Sequence, residues 1–234
     1  MVVNSIRLLK KILLLFSSFF ALSMAKGQDK WFLNFTPGLS LAFPAPLHIS
    51  QNGYPGISFW AKYRTNPLDL PIYYSYRGGF QHGVRLTEIE MNHLKLYLKN
   101  TSELVDWFAV SHGYNQIFLN YGRMTGKFGH KAGIGLVLSH PENTIRGKRL
   151  DEKKGILGRG YYPSGIAAQY VLYKEIEVTD FFYLLLEMKA SLGYARVKVV
   201  DGKADVPVAA LHFLIGPGIK IKKGTSREMP SVYK

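Results

Sequence analysis

The sequence predicts an all-β chain that closes into an antiparallel transmembrane β-barrel of eight or ten strands, preceded by a cleaved signal peptide. Three observations carry this. Most segments alternate apolar and polar residues with a period of two. The clearest runs extend for about 9–11 residues or more, the length at which a tilted strand crosses hydrocarbon. The first 25 residues have the build of an export signal.

The signal comes first along the chain. Arg7, Lys10 and Lys11 precede an apolar block from Ile12 to Leu22, and Ser23-Met24-Ala25 follows. The apolar block falls short of the roughly 20 residues that span a bilayer as a helix, so cleavage after Ala25 or Gly27 is expected. The predicted organisation is therefore a signal at 1–25, a barrel at 26–222 and a polar tail at 223–234.

Each predicted strand separates two kinds of side chain. In the first, Trp31, Leu33, Phe35, Leu39 and Leu41 share one face, opposite Asn34, Thr36, Gly38 and Ser40. Ile57, Phe59, Ala61 and Tyr63 oppose Ser58, Trp60, Lys62 and Arg64. Ala132, Ile134, Leu136 and Leu138 oppose Lys131, Gly133, Gly135 and Ser139. Leu184, Leu186, Met188, Ala190, Leu192 and Tyr194 oppose Glu187, Lys189, Ser191 and Gly193. In the last strand Ala209, Leu211, Phe213, Ile215, Ile219 and Ile221 oppose Ala210, His212, Gly216, Gly218 and Lys220. Successive strand residues point to opposite faces, so every strand offers one greasy side. A closed barrel in lipid satisfies all of these sides and leaves no edge. A soluble exported β-sandwich, which also alternates, is the competing architecture.

The eight segments expected are 31–41, 55–65, 88–98, 114–121, 128–139, 161–175, 180–199 and 207–222. Adding 71–80 and 104–111 gives ten. In the eight-strand version, 66–87 becomes a long excursion on the periplasmic side, and 99–113 an outer loop with room for a short helix from Ser102 to Trp107. Within 88–98, Ile89 and Met91 are out of step with Leu94, Leu96 and Leu98, which suggests a β-bulge near Asn92-His93.

Composition restricts the chemistry. The chain lacks cysteine, which removes disulfides and thiolate metal sites. Hydrophobic residues make up 47%, too few for a helical membrane protein and ordinary for a barrel. The formal charge is +14, and about +11 once the three leader cations are removed. Outside the cytoplasm such a chain meets lipid A phosphates and anionic glycans, not nucleic acid.

Signal, alternating strands and glycine-rich inner faces, from about Trp31 to Lys222, resemble the small outer-membrane β-barrel proteins of Gram-negative bacteria. The resemblance implies an outer-membrane location, insertion by the barrel-assembly machinery and contact with outer-membrane lipid and lipopolysaccharide. It implies no particular activity. A structural, surface-binding or minor permeation role without cofactor is the first reading, and oligomeric state stays open.

A second resemblance is local. Lipid A deacylase barrels carry a motif similar to His-x-Ser-Asn, and this chain reads Ser111-His112-Gly113-Tyr114-Asn115. His112 and Asn115 match, while Tyr114 stands where the nucleophile would be. Ser111, with Glu142 or Glu90 as the carboxylate, would have to complete a hydrolytic set. By strand geometry Ser111 and His112 point to opposite faces.

Two further groups are candidates for binding or packing. Arg146, Lys148 and Arg149 lie in a basic loop at 140–160 that suits lipopolysaccharide phosphates, or that is simply solvated. Arg64, Arg77, His93, Lys95, Glu187, Lys189 and His212 are expected to fill the lumen as a paired polar network, since a small barrel is packed with side chains. The seven histidines, at 48, 82, 93, 112, 130, 140 and 212, show no metal-ligand spacing.

Overall fold

The computed structural model describes residues 29–151, 155–156 and 158–222. The predicted signal and tail, and Lys153 and Lys154 of the basic loop, lie outside the described residues. Among the described residues every regular element is a strand. In chain order they are β1 (Asp29–Ala42), β2 (Ala45–Gln51), β3 (Ile57–Ala61), β4 (Tyr63–Arg64), β5 (Tyr74–His82), β6 (Arg85–Leu98), β7 (Val105–Thr125), β8 (Phe128–Ser139), β9 (Glu142–Ile145), β10 (Lys148–Arg149), β11 (Tyr162–Glu177), β12 (Phe182–Val199) and β13 (Gly202–Lys222).

Eight of them close into a ring. The order is β1-β5-β6-β7-β8-β11-β12-β13 and back to β1, and each neighbouring pair is antiparallel. Closure rules out the two-sheet sandwich and leaves the ring without a free edge. At one end, beside both ends of the ring's chain, the connections are short: Gly83-Val84, Gly126-Lys127 and 178–181. Gly126, with φ of +63°, takes a left-handed turn conformation that glycine adopts without strain. At the other end lie the longer connections 43–73, 99–104 and 140–161, together with the tight turn Val200-Asp201.

The expected count of eight agrees with the ring, but its membership differs. Segment 55–65 is not a spanning strand; it forms β3 and β4, which pair with β2 and with β6 at the loop end. Segment 71–80 supplies the missing member as β5. The long excursion is therefore 43–73 at the loop end, and no such excursion exists at 66–87. Segments 104–111 and 114–121 belong to one strand, β7, and the expected helix over 102–107 is replaced by a tight turn at 103–104 and the start of that strand. β6 keeps a single phase and has no bulge at Asn92-His93; the register shift opposite Leu94/Leu96 comes from surplus residues in β7.

β12 displays the construction in a single strand. Its outward row, Leu184, Leu186, Met188, Leu192 and Tyr194, is apolar, and its inward row begins with Tyr183 and Leu185, passes through Glu187, Lys189 and Ser191, and reaches Gly193. Beyond Tyr194 the rows exchange character: Arg196 and Lys198 face out, while Ala195, Val197 and Val199 are fully buried. β13 inverts at the same level, where Asp205 pairs with Arg196 and Pro207 with Tyr194. The outward apolar stretch from Leu184 to Tyr194 stands about 25 Å high at a strand tilt of ~40°.

The exposed side of the ring is greasy throughout this height. Leu33, Leu41, Ile134, Leu136, Ile166, Leu192 and Ile221 each expose more than half of their surface. Aromatic residues edge the band at the terminal end, where the Trp31 and Phe80 rings meet at 5.1 Å.

Above the inversion a cap rises from the barrel. β2 pairs with β13, β3 with β2, β4 with β6, and β9 with the loop-end half of β7. Leu47, Ile49, Ile57, Leu94, Leu96, Phe108, Val197, Val199 and Val206 form its apolar core. This explains the phase problem in β6: Leu94, Leu96 and Leu98 continue the inward row of Glu88, Glu90 and Asn92, which turns apolar on entering the cap. Ile49 is fully buried there. Ile49→Ala is expected to cost about 2–5 kcal/mol of local stability, read as faster proteolytic cleavage of 43–73, while the barrel keeps its heat-modifiable migration on a gel.

Candidate functional site

The lumen holds an alternating string of charges. Lys189 bonds Glu90; Glu90 lies 3.6 Å from Arg77; Arg77 bonds Glu187; Glu187 lies 3.0 Å from Lys131, and Lys131 lies 2.6 Å from Glu88. Three cations thus meet three carboxylates, from β5, β6, β8 and β12. All six are nearly or wholly buried. Neutral neighbours add hydrogen bonds to Glu88 and Glu90. Asn120 Nδ2 donates to Glu88 and Glu90 at 2.8 Å, Gln169 Nε2 donates to Glu90 at 2.8 Å, and Ser75 Oγ donates to Glu90 at 2.6 Å. Pairing and hydrogen bonds are what make buried charge tolerable; among the described residues, Arg77 Nε and Glu187 Oε2 are left without a hydrogen-bond partner.

On the loop side of the string a neutral relay crosses the lumen. Ser191 and His212 Nε2 are 2.8 Å apart, as are His212 Nδ1 and Tyr73 Oη. Tyr73 donates to Asn92 Oδ1 at 2.8 Å, and Asn92 Nδ2 donates to Gln116 Oε1 at 2.9 Å. The relay is self-consistent with a neutral His212 that accepts from Ser191 and donates to Tyr73. On the terminal side the string is floored by Phe32, Leu86, Met124, Tyr173, Tyr183 and Leu185.

Of the residues expected in the lumen, Arg77, Glu187, Lys189 and His212 lie there. Arg64 is exposed on β4 beside Tyr97. His93 and Lys95 fall on the outward row of β6. His93 stacks on Tyr74 at 5.1 Å and bonds Asn115 at 2.7 Å, while Lys95 Nζ donates to the Asp69 carbonyl at 2.7 Å. Loop 66–73 folding against the wall covers a position that the alternation alone assigns to neither medium. Glu88, Glu90 and Lys131 complete the string, and their inward phase on β6 and β8 was visible in the sequence.

A second cluster sits at the base of the cap. Between Tyr114 and Ala109, β7 spends two residues more than β8 and β9 do between Ser139 and Glu142. The same excess appears against β6 between Leu94 and Leu96. The surplus is a bulge at Ser111-His112-Gly113, and Gly113 has φ of +125°. Bulges re-aim side chains, and this one brings Ser111 and His112 to the same carboxylate, against the opposite-face expectation. Ser111 Oγ donates to Glu142 Oε1, and His112 Nδ1 lies 2.8 Å from the same oxygen. His140 joins them, its ring 4.7 Å from that of His112. Asn115 does not, because its side chain is turned to His93. Glu90 belongs to the lumen string.

The cluster does not form a serine–imidazole–carboxylate relay. Ser111 Oγ lies 3.1 Å from His112 Nδ1, the nitrogen that also meets Glu142. A relay needs the serine on one ring nitrogen and the carboxylate on the other.

The basic loop residues are knitted into the cap. Arg146 bonds Gln51 Oε1 and the Pro55 carbonyl (2.8 Å) and packs 4.8 Å from the Tyr54 ring. Lys148 lies 3.2 Å from Asp201, and that hydrogen bond raises its pKa. Arg149 lines a polar depression with Asp151, Tyr162, Lys198 and Lys203. On the outer face, the Arg196 guanidinium 2.8 Å from Asp205 holds that carboxyl below the ordinary range.

No protein-family model and no curated protein matches the sequence. Among solved structures, the chain is similar to outer membrane protein AlkL, determined by solid-state NMR in DMPC bilayers. The TM-score is 0.50 at 10% identity, covering 88% of this chain and 96% of that one. It is also similar to OprG from Pseudomonas aeruginosa (TM-score 0.43, 10% identity, 85% and 98% covered) and to Neisserial surface protein A (0.40, 10%, 82% and 97%). At this identity the likeness is one of fold: the chain has the architecture of the small eight-stranded outer-membrane β-barrels.

The charge string makes a measurable demand. Glu90→Gln leaves Arg77 and Lys189 short of a counter-charge in a buried site, at a cost of about 3–5 kcal/mol. A lowered urea midpoint for the variant in lipid vesicles, with folded migration retained before unfolding, is the expected result; an unchanged midpoint contradicts it.

Proposed function

We propose that this chain is an outer-membrane β-barrel with a sealed lumen, which acts through its fold and its loop-end surface rather than by conducting solutes or by catalysis. The short turns face the periplasm and the cap faces outward, since short turns and long loops are divided that way in such barrels. One observation carries the reading: the exchange of inner and outer polarity at Tyr194/Ala195 and Asp205/Pro207. A strand whose greasy row faces out for one bilayer height, and then turns in, fits a boundary between acyl chains and water. The lumen below is filled by the charge string, the neutral relay and the apolar floor, which speaks against a permeation role.

The surface partner that fits is lipid phosphate of the outer leaflet. Arg196, Lys198 and Lys203 are exposed directly above the apolar band, where headgroups lie. Arg146 and Lys148 are tied to cap residues, Gln51, Pro55 and Asp201, whereas Arg196, paired through Nε with Asp205, stays on the outer face beside Lys198 and Lys203. A lipid A-directed acyl hydrolase is the second reading, favoured only by the meeting of Ser111, His112 and Glu142.

Three measurements follow. Purified barrel in planar bilayers is expected to give no steady conductance, and stable open channels would sink the sealed-lumen reading. Neutralising Arg196, Lys198 and Lys203 to Gln should weaken binding to lipopolysaccharide vesicles more than neutralising Arg146, Lys148 and Arg149, whose loss should lower the thermal midpoint instead; equal binding by all variants removes the lipid phosphate partner. Lipid A masses should be the same in cells with and without the protein, and loss of an acyl chain that disappears with Ser111→Ala would install the hydrolase.

A further inference from the structure

We propose that His112, His140 and Glu142 form a three-ligand site for a divalent transition-metal ion, with zinc the ion they match, at the base of the cap. One ligand atom of each residue lies within 4.8 Å of the others. Tetrahedral zinc with bonds of about 2.0–2.1 Å needs ligand atoms about 3.3–3.4 Å apart, so closure asks for side-chain shifts on the order of 1 Å. Two imidazoles and one carboxylate form a set suited to borderline metals and poorly suited to calcium or magnesium, which take oxygen donors. Three protein ligands leave a fourth position open.

The surroundings are those of a held site rather than a chance meeting of surface groups. His140 is 8% exposed, and among the described residues its Nδ1 has no hydrogen-bond partner. A buried, unsatisfied ring nitrogen is costly, and an ion held by that nitrogen would satisfy it. Its backbone N–H donates to the Gly113 carbonyl at 3.0 Å, and the Tyr161 ring packs edge-on at 4.9 Å, which together fix the imidazole. Tyr161 also donates to the His112 carbonyl at 3.2 Å. Ser111 Oγ already donates to Glu142 and would orient the carboxylate from outside the coordination sphere, as outer partners of metal ligands do. His112, with 58% of its side chain exposed, offers the path of entry. His112 and His140 border a cavity of about 500 Å³ that is also lined by Arg149, Asp151 and Arg159. Guanidinium groups there suit an anionic oxygen, or water, in the fourth position.

The test uses the barrel purified in detergent without a histidine tag, titrated with zinc chloride by calorimetry and with cobalt(II) by absorption. One equivalent of zinc should bind, unaffected by millimolar magnesium, and cobalt should give the intense visible bands of a tetrahedral site. Loss of an outer partner of a metal ligand costs roughly 10–100-fold in affinity, so His140→Ala or His112→Ala should cost at least about tenfold, and His48→Ala should cost nothing. Glu142→Gln keeps the shape and should also weaken binding, which serves if an alanine variant fails to show folded migration. Absence of stoichiometric zinc binding overturns the proposal. So does affinity that survives in the folded His112, His140 and Glu142 variants, because the ion would then sit elsewhere.

Discussion

The barrel depends on the charge string in its lumen. An eight-stranded ring encloses too little space for a water channel, so its interior must be packed with side chains. Apolar side chains inside and outside would give strands greasy on both faces, with nothing to fix which face meets lipid. A polar interior fixes it, but each buried charge must then find a partner. Glu88, Glu90 and Glu187 against Arg77, Lys131 and Lys189 meet that requirement as a neutral six-member set. Because members come from four strands, a register slip in β5, β6, β8 or β12 would separate partners as well as turn side chains to the wrong medium. The string therefore specifies register as well as filling space.

The same logic run in reverse makes the cap. Above Tyr194 the outer surface meets water, and the inward rows can become apolar. Val197, Val199, Ala204 and Val206 then pack with Leu47 and Ile49 as an ordinary soluble core. The molecule is thus two proteins of opposite construction sharing continuous strands. The relay Ser191–His212–Tyr73–Asn92–Gln116 lies at the join, where neither a charge nor a fully apolar residue suits both neighbours.

Much of this was legible in the sequence, and the failures have one cause. Alternation reports a strand with two different sides; it does not say which medium each side meets. β3 alternates as well as any spanning strand because Ile57 and Ala61 face the cap core while Trp60 stays exposed. Segment 71–80 reads as a strand but enters only the ten-strand version; the outward row of β5, Tyr74, Tyr76, Gly78 and Phe80, is aromatic and small rather than aliphatic. The change from Leu192 and Tyr194 to Arg196 and Lys198 on one row, with the reverse change on the other, was present in the sequence as a marker of the boundary. At the cluster, Ser111, His112 and Glu142 could be picked by residue type. His140 could not, since its proximity to His112 depends on Tyr114 pairing with Ser139, a register that spacing along the chain does not reveal.

That pairing also explains why the cluster sits where it does. β7 must leave β8, which ends at Ser139, and take up β9, which begins at Glu142. Between them His140-Pro141 interrupts the partner strand, and Pro141 lacks the N–H that a ladder needs. Facing this break, β7 carries its two surplus residues, so both strands lose regular pairing at the same height. Side chains released from a ladder on both sides of one gap are no longer held to alternate faces, and they converge. Ser111 and His112 come from one edge of the gap, and His140 and Glu142 from the other. The join between membrane barrel and soluble cap, which needs an irregularity to change strand partners, is thereby also the place where the fold gathers chemically able groups.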